Sequence, residues 1–283
     1  MKKRLFVILS TFVLFLTLCF PTSVYAKNKE RVIACSKSVA ETWVLAGGQL
    51  VGATEDATDY ADTSIGSITK PSLEQIQSLE PTLVLVTEDI PSHKSLKKSL
   101  EDLGIDVYVV DINSFSDYKK VMKDFTKKTN RDDLYKKNVT KVEKRIKKIK
   151  KKANKQDAET ASYLLMRLSA SKNKVIKGDH FVTEMLNDMK MENVADDTSS
   201  LDQLNMEAIL EQDPDYIFIT IQGDIDQGKD IYENQFQSNP TWSQLKAVQN
   251  NHVVFLEKDY FQYKPNNHWD KAYETVYSIR FEE

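Results

Sequence analysis

The sequence predicts an α/β protein with two similar lobes joined by one long α-helix. Three observations lead to this prediction. A strongly charged stretch, residues 131–155, has apolar residues at helical spacing. A unit of helix, proline and strand occurs before this stretch, at residues 74–87, and again after it, at residues 207–220. Strands alternate with helices on both sides of the stretch, which is typical of mainly parallel sheets.

The joining helix is predicted from the apolar positions within residues 131–155. They recur mostly at alternating steps of three and four residues, which places them on one side of an α-helix. The positions are Leu134, Val139, Val142, Ile146, Ile149 and Ala153. About 24 residues at 1.5 Å each form a rod of roughly 35 Å. The spacing therefore favours a solvated helix with one apolar face over a basic arm that binds nucleic acid.

The repeated unit aligns without a gap. Glu74 corresponds to Glu207, and Pro81 corresponds to Pro214. Each copy has the pattern of a short helix, a proline that ends it and a buried strand. We therefore expect the same unit at equivalent places in the two lobes.

Residues 1–26 are predicted to be a secretory signal peptide. Basic residues at positions 2–4 precede an apolar run over residues 5–20, and Ala26 ends a small-residue cleavage pattern. The run is short for a membrane span, and an uncleaved anchor is the alternative. We expect the protein to be secreted across the cytoplasmic membrane, to the extracellular face of the membrane or to the periplasm.

The mature chain is expected to be acidic and to lack disulfides. Without the three basic residues of the signal peptide, 36 basic and 42 acidic residues give a net charge of −6. This balance gives no reason to expect nucleic acid as a partner. Leu18 is too large to precede a lipidated Cys19, and a charged stretch separates Cys35 from the apolar run, so a lipid anchor is an open question. Cleavage leaves Cys35 alone, with no partner for an internal disulfide.

The first lobe, residues 31–130, is predicted to alternate strands and helices. Its predicted elements are a strand over 32–35, a helix over 36–46 ended by Gly47-Gly48, a strand over 50–53, a polar loop over 54–64, the first copy of the repeated unit, a helix over 92–104, a strand over 106–111 and a helix over 115–129. This order implies a mainly parallel sheet.

The second lobe, residues 156–283, repeats the alternation. Its predicted elements are a strand over 162–168, a short hairpin arm over 174–178, a helix over 181–189, the second copy of the repeated unit over 201–220, helices over 230–237 and 242–248, a strand over 253–256 and a final helix over 270–280. Ligands of parallel sheets bind at the loops beyond the carboxyl ends of the strands.

Several short motifs accompany this order of elements. They are Pro-Ser-Leu-Glu-x-Ile-x-x-Leu-x-Pro at 71–81, Leu-Ala-Gly-Gly at 45–48, residues 185–197, Asn-Pro-Thr-Trp at 239–242 and Lys-Pro-Asn at 264–266. With them, residues 31–280 resemble the ABC-transporter substrate-binding proteins that carry ferric siderophores, haem or cobalamin. The resemblance implies the class III periplasmic-binding-protein fold, in which a rigid helix joins two Rossmann-like lobes.

The resemblance also implies a function. The chain is expected to capture a ferric siderophore or haem between its lobes and to deliver it to a membrane permease dimer with its ATPase. No intrinsic cofactor, no metal site and no catalytic residue are expected, and the protein is expected to be a monomer. Cobalamin or another small ligand is the alternative cargo. A secreted enzyme or adhesin is a further alternative, although the four histidines lie in no recognised motif.

Permease docking is implied for one glutamate on each lobe. Members of this family dock through two such glutamates onto arginines of the permease, and the matching positions here are Glu74 and Glu207. A carboxylate on each lobe, held apart by a rigid helix, suits charge-assisted pairing with a symmetric partner. The alternative is that both are surface acids favoured by a helix N-terminus.

Ligand contacts are expected from loops that follow the strands. The candidates are Tyr60, His93, Met166, Arg167, His180, Gln222, Tyr260, Tyr263 and His268. Arg167 suits an anionic siderophore or a haem propionate, with a structural ion pair as the alternative. Tyr260 and Tyr263 suit stacking on a flat ligand or phenolate ligation of ferric iron, with ordinary packing as the alternative. Some haem-carrying relatives use an axial Met and His, which align near Thr69 and Gln222 here and so disfavour that mode.

Overall fold

The structure is a computed structural model that describes residues 30–178, 180–196, 199–202 and 204–282. The predicted signal peptide and Cys19 lie outside these residues. Arg31–Glu283 form one compact unit, so their division into two lobes stays a prediction. None of the helices in the described part of the chain has the length and apolar character that a membrane span requires.

The N-terminal half contains a four-stranded parallel sheet. The strands of this half are β1 (Val32–Ala34), β2 (Gly52–Ala53), β3 (Gly66–Ser67), β4 (Lys70–Pro71), β5 (Leu83–Thr87) and β6 (Asp106–Val110). The sheet order is β2-β1-β5-β6, while β3 and β4 form a separate antiparallel pair. The helices of this half are α1 (Lys37–Leu45), α2 (Leu73–Ser78), α3 (Pro91–Asp102) and α4 (Phe115–Thr129).

The chain then continues through a helical run from Asp132 to Ala153. It consists of α5 (Asp132–Tyr135), a π-helical turn (Lys136–Thr140) and α6 (Lys141–Ala153). The π turn coincides with the one step of five among the apolar positions, from Leu134 to Val139. Because a π turn holds an extra residue, it keeps Val139, Val142 and Ile146 buried on one side.

The C-terminal half contains a second, mainly parallel sheet. Its strands are β7 (Ala161–Leu168), β8 (Lys174–Val175), β9 (Met191–Asn193), β10 (Tyr216–Ile221) and β11 (Val253–Phe255). The order is β11-β10-β7-β8, with β9 parallel to β7 and β8 antiparallel to it. The helices are α7 (Phe181–Asp188), α8 (Met206–Gln212), α9 (Ile225–Tyr232), α10 (Lys246–Gln249), α11 (Lys258–Phe261) and α12 (Trp269–Phe281).

The repeated unit extends into side-chain capping and backbone conformation. Ser72 and Asn205 occupy equivalent positions and cap α2 and α8, because the side-chain oxygen of each accepts a hydrogen bond from the first helical turn. Glu80 and Asp213, directly before the two prolines, both have a left-handed backbone with φ of 45° and 39°. The strands β5 and β10 then follow at the same offset. The structure thus confirms the repeat predicted from the sequence.

The largest apolar core includes residues from both sheets and from α6. Its large members include Trp43, Phe125, Val142, Ile146, Tyr163, Phe181, Trp269 and Tyr273. The indole of Trp269, in α12, lies 5.6 Å from the ring of Phe115 in α4 and 6.1 Å from that of Phe181 in α7. The two halves of the molecule therefore share one core.

One predicted helix of the C-terminal half needs correction, and two short elements there were missed. The helix predicted over 230–237 begins earlier, at Ile225, because the Asp224 side chain accepts a hydrogen bond from Gln227 N at 2.8 Å and so caps α9. The short strand β9 and the helix α11 were not predicted, since each is only three or four residues long. The predicted hairpin arm over 174–178 is confirmed as β8.

Candidate functional site

Charged and polar side chains collect where the parallel strands end. Asp89 follows β5 and Asp111 follows β6 in the first sheet, while Arg167 lies at the end of β7 and Gln222 follows β10 in the second. Strands of a parallel sheet end at the same edge, so each pair is brought together by the topology. The location agrees with the sequence-based expectation for a ligand site.

A segment after α11 carries Lys264 to the same region. The buried Asn266 anchors this segment on α1: its Nδ2 donates to Glu41 Oε2 at 2.7 Å, and its Oδ1 accepts from Thr42 Oγ1 at 2.9 Å. The backbone N–H of Lys264 donates to Ser38 Oγ at 3.1 Å. These bonds fix the start of the Lys264 side chain against the N-terminal half.

Lys264 and Asp89 form an ion pair between the two halves. The Lys264 Nζ lies 3.1 Å from Asp89 Oδ2, and the lysine side chain is only 12% exposed. The same Nζ lies 4.7 Å from the centre of the Phe181 ring. Partial burial strengthens both interactions relative to an exposed pair.

We name Asp89, Asp111, Arg167, His180 and Lys264 the polar cluster, because their charges act on one another. Burial raises the pKa of Asp111, the negative charge of Asp89 raises it further, and Lys264 opposes this. Burial also lowers the pKa of Arg167, while Asp89 opposes that change. The cluster therefore combines residues from both halves in one partly desolvated region.

Arg167 is the cation of this cluster that has no partner among the residues that the structure describes. Its side chain is partly buried, and it makes no hydrogen bond or ion pair with any residue in the described part of the chain. A guanidinium stays charged at any physiological pH. A partly desolvated charge without a partner is stabilised by an incoming anion, and a guanidinium suits carboxylate or phosphate in a bidentate geometry.

His180 is a neutral imidazole at the edge of the cluster. Burial lowers its pKa to about 3, and the positive charges of Lys264 and Arg167 contribute to the shift. Its Nδ1 accepts a hydrogen bond from Val182 N at 3.3 Å and caps α7. Its Nε2 makes no hydrogen bond with the residues that the structure describes. Because Nδ1 accepts, Nε2 of the neutral ring carries the proton and is a hydrogen-bond donor for an anionic ligand.

Tyr263 lies between two ammonium groups, one from each half of the molecule. Lys37 Nζ is 4.9 Å and Lys258 Nζ is 5.5 Å from the centre of the Tyr263 ring. Lys258 also donates to Gly223 O at 2.6 Å, which places this group beside the loop after β10. The ring is partly exposed. The arrangement offers an aromatic surface bordered by positive charge.

The two other tyrosine candidates, Tyr60 and Tyr260, have surroundings that differ from those of Tyr263. Burial raises the pKa of Tyr60 to about 12, and the negative charges of Glu41, Asp59 and Asp259 add to this. Tyr260 packs partly against the core, with its ring 5.9 Å from that of the exposed His268. These surroundings disfavour a phenolate at Tyr60.

Gln222 and Thr69, the positions aligned with an axial His and Met, are both exposed. Gln222 lies in the loop after β10, next to the Gly223 carbonyl that Lys258 contacts. Thr69 lies in the turn between β3 and β4. Neither an amide nor a hydroxyl is a good ligand for haem iron, so these two positions do not supply an axial Met–His pair.

Two sequence-predicted contacts are corrected by their burial. His93 is 1% exposed, and both ring nitrogens are used: Nδ1 accepts from Thr87 N at 3.2 Å, so Nε2 carries the proton and donates to Ile68 O at 2.8 Å. Met166 is fully buried in a core with Leu164 and Ile219. Both residues therefore stabilise the fold and offer no surface to a ligand.

Sequence reasoning missed five residues of the site: Asp89, Asp111, Lys37, Lys258 and Lys264. Asp89 had a usable signal, since it comes two residues after a predicted strand. Lys37 and Lys258 had no such signal, because each is one of many lysines in the chain. Lys264 belongs to the Lys-Pro-Asn motif at 264–266, but only the folded structure places it against Asp89.

Glu74 and Glu207 lie in the first turns of α2 and α8, as the repeat implies. Both carboxylates are exposed, and neither forms an ion pair within the described residues. Metal-binding groups of three or more His, Cys, Asp or Glu do not occur in this part of the chain.

Comparisons with known proteins place this site in context. The family model described as "Periplasmic binding protein" matches residues 32–260. The high-affinity heme uptake system protein IsdE of Staphylococcus aureus is 26% identical over 227 residues, which cover 79% of this chain and 76% of IsdE. The α/β fold class with parallel sheets predicted from the sequence is confirmed by this match and by two solved structures, while the single long joining helix stays a prediction.

The first is a crystal structure of S. aureus IsdE complexed with heme, with a TM-score of 0.78 and 23% identity over 89% of this chain and 99% of that one. The second is an ABC transporter substrate-binding protein from Listeria monocytogenes EGD-e, with a TM-score of 0.75 and 22% identity over 90% of this chain and all of that one. At these identities the likeness shows a shared fold.

Proposed function

Because the chain belongs to the periplasmic binding protein family, we propose that it is the substrate-binding component of an ABC importer and that it carries an anionic iron complex, either haem or a ferric siderophore. Members of the family are binding proteins that work outside the cytoplasm, not enzymes. The single observation that carries the choice of cargo is Arg167, a partly buried guanidinium without an ion pair in the described residues.

The surroundings of Arg167 support this cargo. Tyr263 presents a partly exposed ring between Lys37 and Lys258. A flat aromatic surface bordered by positive charges suits a porphyrin with propionates or a catecholate complex with a net negative charge. His180 adds a neutral imidazole within the same cluster. A complex of this kind would satisfy the charges that the protein alone leaves without a counterion.

The partner proposed for the loaded protein is a permease dimer with its ATPase. Glu74 and Glu207 support this part of the proposal, because each is an exposed carboxylate at an equivalent position of the repeated unit. Arginines of a symmetric permease would bind them through charge-assisted hydrogen bonds. We propose a monomer that is released by signal cleavage or held by a lipid anchor.

Absorption titrations of the purified protein test the choice of cargo. We expect haem or a ferric siderophore to give a saturable spectral change, and Arg167→Gln to weaken binding about 10- to 100-fold, because one charge-assisted contact is lost. Arg131→Gln, at an exposed arginine paired with Asp133, is the matched control and should bind like the wild type. Equal affinities of the two variants for the true ligand would contradict the role of Arg167.

A further inference from the structure

The helical run through α6 carries an unusual concentration of positive charge. Residues 131–155 contain twelve Lys or Arg and three Asp or Glu, although the whole chain has a net charge of −3. Burial of Val142 and Ile146 directs the other side of α6 toward solvent. The function proposed above uses none of these basic residues.

Five of the lysines form a single exposed row, which we name the lysine stripe. Its members are Lys141, Lys144, Lys148, Lys151 and Lys155. Lys141, Lys144, Lys148 and Lys151 follow one another at steps of three, four and three residues, which place them on one face of α6, about 5 Å apart along its axis and over roughly 15 Å. Lys155 continues the row in the turn after the helix, which ends at Ala153. All five side chains are exposed.

Ion pairing divides the basic residues of α6 into two groups. The flanking residues are paired: Arg145 with Asp270, Lys147 with Glu143 at 3.2 Å, Lys150 with Asp188 at 2.7 Å and Lys152 with Glu282 at 2.8 Å. The five residues of the lysine stripe form no ion pair with any described residue. Acids of the same chain thus neutralise the edges of this surface and leave the central row uncompensated.

The end of the lysine stripe borders a cavity of about 470 Å³. Lys151 and Lys155 line it together with the apolar side chains of Phe115, Ile146 and Tyr273. Exposed large apolar residues of the described chain lie elsewhere, at Val44, Leu103, Ile225 and Phe255. The surface therefore combines a row of charges with a recess, and within the described part of the chain it presents no exposed large apolar side chain for insertion into a bilayer.

We propose that the lysine stripe binds a linear phosphodiester polymer outside the cytoplasmic membrane. An ammonium group is a point charge that binds phosphate without demanding one orientation. A chain of phosphates joined by short alditol units is flexible and matches a straight row of evenly spaced cations. Binding would hold the protein near the cell surface without a lipid anchor.

The charge pattern of the lysine stripe favours a phosphodiester polymer over a bilayer surface and over duplex nucleic acid. Peripheral binding to a bilayer usually combines basic residues with exposed apolar ones, and α6 presents only the basic ones. Duplex nucleic acid is recognised by additional contacts in its grooves, which a single row of lysines on a straight helix does not provide.

The test measures binding of a synthetic glycerol-phosphate polymer of defined length to the mature protein at low and at physiological salt. The variant Lys141→Gln/Lys144→Gln/Lys148→Gln/Lys151→Gln removes four of the five lysines of the stripe. The matched control Lys94→Gln/Lys98→Gln/Lys174→Gln/Lys229→Gln removes four exposed lysines elsewhere, none of which forms an ion pair within the described residues. We expect the stripe variant to bind at least about tenfold more weakly, with a smaller salt dependence, and the control to change less than about twofold.

Three results would overturn the proposal. The first is no measurable binding of the polymer by the wild type. The second is an equal loss in both variants, which would show a response to net charge alone. The third is tighter binding of the wild type to phosphatidylglycerol vesicles than to the polymer, which would identify a membrane surface as the partner. Unfolding curves and affinity for the cargo, measured on both variants, report the integrity of the fold and are expected to stay at wild-type values.

Discussion

The proposed cargo has two ways to contact Tyr263, by stacking on its ring or by ligation to its phenol oxygen, and only the second requires the hydroxyl group. The ring offers stacking area between Lys37 and Lys258, while the phenol oxygen is a candidate iron ligand. We expect Tyr263→Ala to lose about 1–3 kcal/mol of binding free energy, one to two decades in affinity, because the aromatic surface is removed. Tyr263→Phe should retain most of the affinity if stacking dominates. Titration of both variants with the same ligand checks this, and wild-type affinity in both would assign Tyr263 to packing alone.

His180 makes stability depend on pH. Its pKa is about 3 in the folded protein and close to its ordinary value of about 6.5 in the unfolded chain. The unfolded chain therefore binds the proton first, so stability is complete above about pH 6.5 and is lost as the pH falls toward 3. We expect a loss of about 1–2 kcal/mol by about pH 4.5, less than for a fully buried ring because His180 is partly exposed.

Replacement of the imidazole tests this dependence. His180→Asn keeps a side-chain oxygen that is able to cap α7, and its free energy of unfolding should fall less between about pH 6.5 and 4.5 than that of the wild type. His268→Asn removes an exposed imidazole and serves as the control. Parallel pH profiles for the wild type and His180→Asn in urea unfolding would show that the ring does not titrate as described.

Single residues differ in how far the sequence alone predicts them. Arg167 was predictable because it lies at the end of a recognisable strand, where a parallel sheet exposes its ligand-facing side chains. His93 belongs to the same region, yet both of its ring nitrogens form hydrogen bonds, one with Thr87 N and one with Ile68 O. These partners are backbone groups, which leave no mark in the sequence.

At the scale of elements, the long helical run shows what a hydrophobic pattern encodes. The spacing predicted the burial of Val139, Val142 and Ile146, which the structure confirms. The start of a helix is harder to predict when it depends on one side chain. The start of α9 was predicted five residues too late because its cap, Asp224, was assigned to a loop.

Ile146 tests the contribution of the apolar face of α6. It is 4% exposed within the largest core, so Ile146→Ala removes buried methylene groups and leaves a cavity. We expect a loss of about 2–4 kcal/mol in the free energy of unfolding. Lys148→Ala, on the exposed face of the same helix, should change it by less than about 0.5 kcal/mol. Similar urea midpoints for the two variants would contradict the packing of α6 against the core.

At the scale of the whole molecule, the two copies of the repeated unit carry the glutamates at which we expect the permease to bind. Glu74→Ala and Glu207→Ala should leave the affinity for the cargo nearly unchanged, because both carboxylates are exposed in the first turns of α2 and α8. Uptake by cells should fall in each single variant and most in the double variant. Cargo titrations of the purified variants provide the control, and weaker binding by either single variant would place that glutamate in the cargo site.

The core shared by the two sheets also determines how the chain loses its structure. Trp269 contacts Phe115 and Phe181 at once, and the helical run between the sheets contributes Val142 and Ile146 to the same cluster. A cut through residues 131–155 would leave each fragment with a large apolar surface in water. We therefore expect the chain to melt as one cooperative unit, with a single heat-absorption peak, even though its sequence carries the same building unit twice.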